Sequence, residues 1–311
     1  MSSGMGNLFN RPYMRDHIQR NLIFLITGLL TAISVKTFAQ RDTLLKEPVQ
    51  CTSGEWNMVF GDEFEGNSLD SNKWITWYPY TDNGSDKCTF CRTHGNEGQI
   101  YRDENAVVSE GSLKLIARKD TVQWMGETRS YSSAMIHSRQ QFAMGKYEIR
   151  CRIPSGMGFW PAFWMFGRKA TEIDVFEIGT QSPRHHHVAI HSWSTKTDLE
   201  KGYNGRTNLA DGYHIYTMIW DTNFVSVEVD GKEVWRVSQY ANRRGRVIKK
   251  CPVKPGKYRM NPTFPPEGEM LSVIAGLAVG TNTTPFTKSP DENTVFPNQM
   301  EIDWIRIYEK Q

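Results

Sequence analysis

The stretch Glu172-Ile173-Asp174-Val175-Phe176-Glu177 places three carboxylates within six residues, set among strongly apolar neighbours. Read as an extended strand, Glu172 and Asp174 project from one face and Glu177 from the other, because successive side chains alternate. One extra residue between Asp174 and Glu177, a β-bulge, brings all three to the same side, and bulges gather next to active sites. Crowded carboxylates repel one another, so at least one pKa rises and that group stays protonated near neutral pH. A proton donor beside an ionised partner is the pair that glycoside hydrolysis needs. One acid protonates the leaving oxygen, and the other carboxylate attacks the sugar or activates water. Glu172 and Glu177 are five residues apart, four regular steps once the bulge residue is discounted, or roughly 13 Å along a strand, which inward-leaning Glu side chains narrow. A separation of about 5.5 Å implies retention of configuration through a glycosyl-enzyme intermediate. The expected roles are nucleophile for Glu172, acid/base for Glu177, and for Asp174 the sharing of a proton with Glu172. The competing reading is an amphipathic strand with a solvated acidic face.

Just upstream, GMGFWPAFWMFG at 156–167 is too aromatic for an ordinary solvated edge. Trp160 and Trp164 are four apart, so on a strand they share a face and form a candidate platform for pyranose rings, with core packing expected for one of them. Cys88-x-x-Cys91 with His94 has the form of half a zinc site or a redox pair, without the second CxxC that a zinc site wants. The run His185-His186-His187 is no metal site, since consecutive strand residues face opposite ways.

The elements that must position these groups read as strands. SLKLIARK at 112–119, GKYEIRCRI at 145–153, TEIDVFEI at 171–178, FVSVEVDG at 224–231 and MEIDWIRIYE at 300–309 alternate, and Asp230-Gly231 supplies a hairpin turn. No long stretch has helical periodicity and nothing repeats at a fixed period, so the expected fold class is all-β, one large sandwich. The clean alternation of 300–309 predicts that the chain end is paired into a sheet. The segment 241–259, ANRRGRVIKKCPVKPGKYR, carries eight Lys or Arg and no acid. It reads as a loop insertion, either a solvated basic loop tied down through Cys251 or a docking patch for an anionic polymer.

The chain has 311 residues, 23% charged and 12% aromatic, with a formal net charge of +3. That excess sits in residues 1–39, where Arg11, Arg15, Arg20 and Lys36 face Asp16 alone; residues 40–311 hold 33 charges of each sign. Whole-protein steering toward nucleic acid or a membrane is thereby excluded. Basic residues through Arg20, the apolar run LIFLITGLLTAISV at 22–35 and Thr37-Phe38-Ala39 read as an export signal cleaved after Ala39. Fourteen apolar residues fall short of the roughly 20 that span a bilayer. The predicted organisation is a signal peptide at 1–39, a linker at 40–55 and one catalytic sandwich at 56–311, secreted or periplasmic and free of the membrane after cleavage. Export permits disulfides. Cys151 shares a strand face with Tyr147, Ile149 and Ile153 and is expected as a buried free thiol, which leaves Cys51, Cys88, Cys91 and Cys251 for pairing.

With these residues in view, the chain resembles the family 16 glycoside hydrolases, in the laminarinase-like branch with the E-x-D-x-x-E motif. The resemblance runs over about 57–309. It includes VFGDEFEGNSLDSNKW at 59–74, NEGQIYRDENAVVSEGSLKL at 96–115, YSSAMIHSRQQFAMGKYEIRCRIPSGMGFWPAFWMFG at 131–167, the acidic strand, HVAIH at 187–191 and LAVG at 277–280. It implies a concanavalin A-like jelly-roll sandwich of two antiparallel sheets with a concave substrate cleft, and retaining endo-hydrolysis of a β-linked polysaccharide. The family nucleophile falls on Glu172, the auxiliary carboxylate on Asp174 and the acid/base on Glu177. Cleft tryptophans fall on Trp160 and Trp164, and a histidine near the acid/base on His191.

The resemblance also implies that catalysis needs no cofactor, with the oxygen ligands of a structural calcium at Glu63, the Gly111 carbonyl and Asp303. It departs where glucan-cleaving relatives commonly have Arg and this chain has Met135 or His137, where they have Gly and it has Thr281, and in the short connection from Gly167 to Glu172. His137 is thus a candidate substrate contact, and the linkage specificity turns on these positions. The expected substrate is β-1,3- or β-1,3-1,4-glucan, acted on by a monomer. The alternatives are an endo-β-galactanase on algal or host glycans, a wall-remodelling transglycosylase, and a carbohydrate-binding sandwich without catalysis.

Overall fold

The computed structural model describes residues 42–52, 54–79, 91–124 and 126–311. The expected leader at 1–39 and Cys88 lie outside the described residues. The alternating segments are strands of two sheets packed face to face as a jelly-roll sandwich. One sheet has seven antiparallel strands, in the order Thr197–Asn204, His185–Ser192, Thr171–Glu177, Phe159–Gly167, Leu271–Val279, Met135–Phe142 and Trp74–Ile75. The other has ten; its middle is formed by His214–Trp220, Gly145–Arg152, Asn298–Lys310 and Ser112–Trp124.

Period-two patterning decides which face is buried. Tyr147, Ile149 and Cys151 point into the core from the ten-stranded sheet, opposed by Phe159, Phe163 and Met165 and by Leu271, Val273, Ala275, Leu277 and Val279 from the seven-stranded one. Cys151 is fully buried and free, as its face predicts. The strand Asn298–Lys310 contributes Met300, Ile302, Ile305 and Ile307; its step changes from two to three where the pairing slips between Ile302 and Trp304. It lies inside the sheet, paired with Gly145–Arg152, Ser112–Trp124 and Trp56–Asp62, as its alternation predicts. Asp230 and Gly231 both have positive φ, 51° and 73°, the backbone that a two-residue hairpin loop requires.

The segment expected as a linker, 40–55, is structured from Asp42 onward. Asp42–Leu45 pairs with Gly256–Met260, Val49 bridges to Val253, and Cys51 is disulfide-bonded to Cys251. With Tyr240–Ala241 these strands make a three-stranded satellite sheet over Phe224, Tyr240 and Val253, against which Leu45, Val49 and Ile248 pack. The insertion itself contributes Val253, Ile248 and Tyr258 to that cluster, and the N-terminal segment completes it with Leu45 and Val49, which is why a stretch that reads as a linker becomes an edge strand.

Candidate active site

The acidic strand Thr171–Glu177 carries a bulge where the chemistry required one. Opposite it, Asp174 faces Ala189 and Glu177 faces His187, so three steps on one strand answer two on the other. On its second side Trp164 faces Asp174, Phe163 faces Phe176 and Ala162 faces Glu177. The extra residue is Val175, and Val175 and Phe176 are both fully buried in the core. Two consecutive large apolar residues seal the interior, and the parity they break turns Glu177 to the outer face with Glu172 and Asp174. Lateral rows follow across the sheet: His191, Glu172 and Phe166; then Ala189, Asp174, Trp164, Ile274 and His137; then His187, Glu177, Ala162, Gly276 and Met135.

The carboxylates of Glu172 and Asp174 and the ring of His191 offer ligand-type atoms within 4.8 Å of one another. The Trp193 indole N–H donates to Glu172 Oε2 at 2.8 Å, fixing the carboxylate that the sequence marks as nucleophile. His191 sets Nε2 3.3 Å from Asp174 Oδ2 and Nδ1 2.7 Å from Asp198 Oδ1. Burial alone would lower the imidazole's pKa, but Asp174, Glu172 and Asp198 outweigh it and raise it to about 10, so the ring is a cation at neutral pH. Burial first, and then the neighbouring Glu177 carboxyl, raise Asp174 to about 6, with His191 opposing them. Glu177 is raised furthest, to about 8, by burial and then by the Glu172 charge, with Glu97 adding to it and His191 and the Trp160 N–H working against it. At pH 7 Glu177 is therefore a protonated acid. It stands two lateral rows from the fixed carboxylate of Glu172.

Around Glu177 the sequence hid several partners. His187, directly opposite, places Nδ1 3.4 Å from Glu177 Oε2 and Nε2 3.2 Å from Glu200 Oε2. Phe286 packs on both the His187 and Trp160 rings, at 5.1 Å between centroids in each case. Glu97 is buried and accepts hydrogen bonds from Gln99 Nε2 at 2.6 Å and Tyr101 Oη at 3.1 Å. Its loop is tied to the sheet by Gly98 N–H to the Val279 carbonyl and by the Thr281 hydroxyl to the Asn96 carbonyl.

Several expectations need correction. His191, expected near the acid/base, sits at the opposite end, across from Glu172 and paired with Asp174; the histidine beside Glu177 is His187. Regular antiparallel pairing from Ser192 backward sets His186 opposite Glu177, and only when the extra residue Val175 is counted does the register shift by one to His187. His137, expected to contact substrate, is only 8% exposed, gives Nδ1 to the Ser138 carbonyl at 2.8 Å, and is held neutral by burial, its pKa pushed down to about 4. Met135 beside it is fully buried. Of the two tryptophans, Trp164 is the packed one, 8% exposed in a second apolar cluster with Tyr78, Tyr101, Met135 and Ile274, whereas Trp160 is half-buried beside Glu177.

The residues expected for calcium lie on or beside the ten-stranded sheet, and they do not fit a cation as placed. Glu63 takes a two-pronged hydrogen bond from Arg306, 2.8 Å to each oxygen, and Asp303 is paired with Arg150. Gly111 sits in the tight turn after Ser109, with φ +69°. Cys91 is disulfide-bonded and His94 packs 5.7 Å from the Trp164 ring, so the half zinc site is not formed by these two.

The family model for glycosyl hydrolases family 16 matches residues 94–305. The chain belongs to that family. It is 27% identical over 297 residues to glucan endo-1,3-beta-glucosidase A1 of Niallia circulans, covering 88% of this chain and 40% of that protein. The chain therefore spans less than half the length of that relative. Beta-glucanase of Rhodothermus marinus is 28% identical over 275 residues, covering 81% of this chain and 85% of that one. Among solved structures, the laminarinase catalytic domain of Thermotoga maritima superposes with a TM-score of 0.66 at 27% identity, over 83% of this chain and 99% of that one.

Proposed function

We propose that the protein is a retaining, endo-acting glycoside hydrolase that cleaves β-1,3- or β-1,3-1,4-glucan. The observation that carries this reading is the bulge at Val175, which places Glu172 and a protonated Glu177 on one outer face of a single strand. Glu177 delivers its proton to the glycosidic oxygen as the bond to C1 breaks, and Glu172 closes on C1 to form the glycosyl-enzyme. Trp193 keeps the Glu172 carboxylate aimed. Asp174 and the cationic His191 adjust its charge, and the ring contributes positive charge that offsets crowding of the three acids. Once the leaving sugar departs, ionised Glu177 takes a proton from water, which attacks C1 and frees Glu172. Half-buried Trp160 beside Glu177 offers the aromatic surface for a sugar ring.

The chain acts as an exported monomer on this reading, and the Cys51–Cys251 disulfide favours an oxidising compartment. Calcium has no part in it, because guanidinium groups already satisfy the expected carboxylates. A second reading, an endo-β-galactanase, is favoured by one observation. The outer face carries buried Met135 and neutral His137 where Arg is expected of glucan cleavers, which removes a rigid fork of donors.

The test is product analysis on laminarin, mixed-linkage glucan, agarose, carrageenan and keratan-type glycans, with NMR of the first-formed anomer. Oligosaccharides of retained configuration from the two glucans are expected. Cleavage of galactans alone overturns the glucan assignment and leaves the mechanism standing, whereas an inverted product overturns the mechanism.

A further inference from the structure

The satellite sheet is the strongest charge feature outside the catalytic rows. Of 33 Lys and Arg after residue 39, eight lie in 241–259, which leaves 25 cations against 33 acids on the rest of that chain. All eight except Arg259 are exposed, and among the described residues none of the exposed seven is in an ion pair. Their backbone is held firmly. Asn242 caps the Arg243–Arg246 turn through its side-chain oxygen to the amides of Arg244 and Arg246, and the Ala241–Val247 bridge closes that turn. The Cys51–Cys251 disulfide and the Asp42–Leu45 strand brace the remainder.

The same sheet runs directly into the catalytic end of the molecule. Beyond Met260 the chain passes through Asn261, whose amide is held by the Gln239 carbonyl, to Pro262 and Thr263. There the Thr195 hydroxyl donates to the Pro262 carbonyl at 3.1 Å and Thr263 Oγ1 donates to Thr197 Oγ1 at 2.8 Å. Thr195 is two residues from Trp193, the residue that holds Glu172. The Glu172 end of the acidic strand is thus joined to the satellite sheet through Trp193, Thr195 and Pro262.

We infer that the satellite sheet is a docking surface for acidic sugar residues, sulfated or carboxylated, of the polysaccharide whose neutral portion occupies the catalytic rows; for the polymer's identity as substrate it rests on the galactanase form of the glycosidase reading, since the two glucans carry no acidic residue. Two charge arguments support the division. At the reaction centre the cationic His191 is already engaged by Asp174 and Asp198, so an anionic substituent on the sugar being cleaved finds no unpaired cation among these groups. Unpaired, rigidly mounted cations beside an otherwise acidic body attract such substituents and give nothing to a neutral glucan.

The test uses the exported chain carrying Glu172→Gln, so that binding is read without cleavage. Affinity electrophoresis is run in gels containing carrageenan, chemically desulfated carrageenan or laminarin, alongside sedimentation with phosphatidylglycerol vesicles. Retardation by the sulfated polymer is expected to exceed that by the desulfated one about tenfold. It should collapse with added NaCl, since the screening length falls from about 30 Å at 0.01 M to about 3 Å at 1 M. K249Q/K250Q/K254Q should remove most of it, and K119Q/K232Q/K310Q, which takes the same number of exposed lysines from elsewhere, should not.

Equal retardation by sulfated and desulfated gels, equal loss in both triple variants, or vesicle binding as tight as polymer binding each overturns the inference. Should either triple variant melt below its parent, the salt response of the parent chain decides alone. The two readings separate cleanly: loss of hydrolysis in the wild-type chain leaves the gel result standing, and a negative gel result leaves hydrolysis standing.

Discussion

The two sheets display the same residue type on similar period-two strands and treat it in opposite ways. On the outer face of the ten-stranded sheet and at its border, carboxylates meet cations: Glu63 with Arg306, Asp303 with Arg150, Glu301 with Arg152 and Glu148 with Lys146. The Arg306 hydrogen bonds hold Glu63 below the ordinary range. At Glu301, hydrogen bonds from Ser112, Arg152 and Tyr213 overcome a burial effect that would raise it. On the seven-stranded sheet Glu172, Asp174 and Glu177 have indoles and imidazoles for neighbours, with Glu97 close by, and Asp174 and Glu177 rise to about 6 and about 8. An acidic strand thus becomes reactive through the company its carboxylates keep. An arginine opposite a carboxylate makes a surface ion pair; its absence, with burial, makes an acid.

The largest expected effect comes from deleting the paired acids. Glu172→Gln and Glu177→Gln should each lower kcat by roughly 10³-fold or more, with Glu177→Gln less damaging on aryl glycosides whose leaving group needs no proton. Steady-state rates on laminarin and on an aryl substrate check this. Importing the other sheet's logic should come next. Ala162 is the cross-strand neighbour of Glu177, so Ala162→Lys sets an ammonium beside it. The alkaline limb of the pH–rate profile, expected near pH 8 in the wild type, should then move down by about one unit or more. An unmoved limb would show that another group sets it.

Stability supplies a third, smaller contrast. The folded pKa of Glu177, about 8, lies above its ordinary 4.5, so the folded state binds the proton more tightly. Stability is therefore lost as pH rises from 4.5 through 8, and the penalty is complete above that. Glu177→Gln escapes it and should be more stable than wild type at pH 9, on the order of 2 kcal/mol, and nearer parity at pH 4, by denaturant melts at both values. The smallest effect belongs to Arg306→Met. Glu63 is substantially exposed, so losing that pair should cost about 1 kcal/mol or less and leave kcat unchanged.

Much of this contrast is legible in the chain's local patterning. The alternation of 145–153 and 300–309 marks the core faces, the Asp230-Gly231 dipeptide marks its hairpin, and the free Cys151 follows from its face. The need for a bulge between Asp174 and Glu177 comes from chemistry applied to a strand of fixed period, and Val175 is that residue. What failed did so where the neighbour mattered more than the residue. His137 has the right type for sugar contact but is buried in the sheet, while of the two tryptophans expected to divide between platform and core Trp164 is the core one, packed with Tyr78 and Tyr101. The 40–55 segment looks like a linker because its apolar residues are few, and its partner strand lies some two hundred residues away.

The all-β patterning, the identity of the three acids and the requirement that one of them cross to the other face are written in the amino-acid order. They depend on local period and residue chemistry, which a chain carries along its length. Folding was needed to set His187 and Glu97 around Glu177, to bring His191 and Trp193 to Glu172, and to let arginines claim Glu63 and Asp303. Each of those choices pairs groups brought together by sheet register and loop closure, and the energy of a charge is fixed by what lies within a few ångströms of it in space.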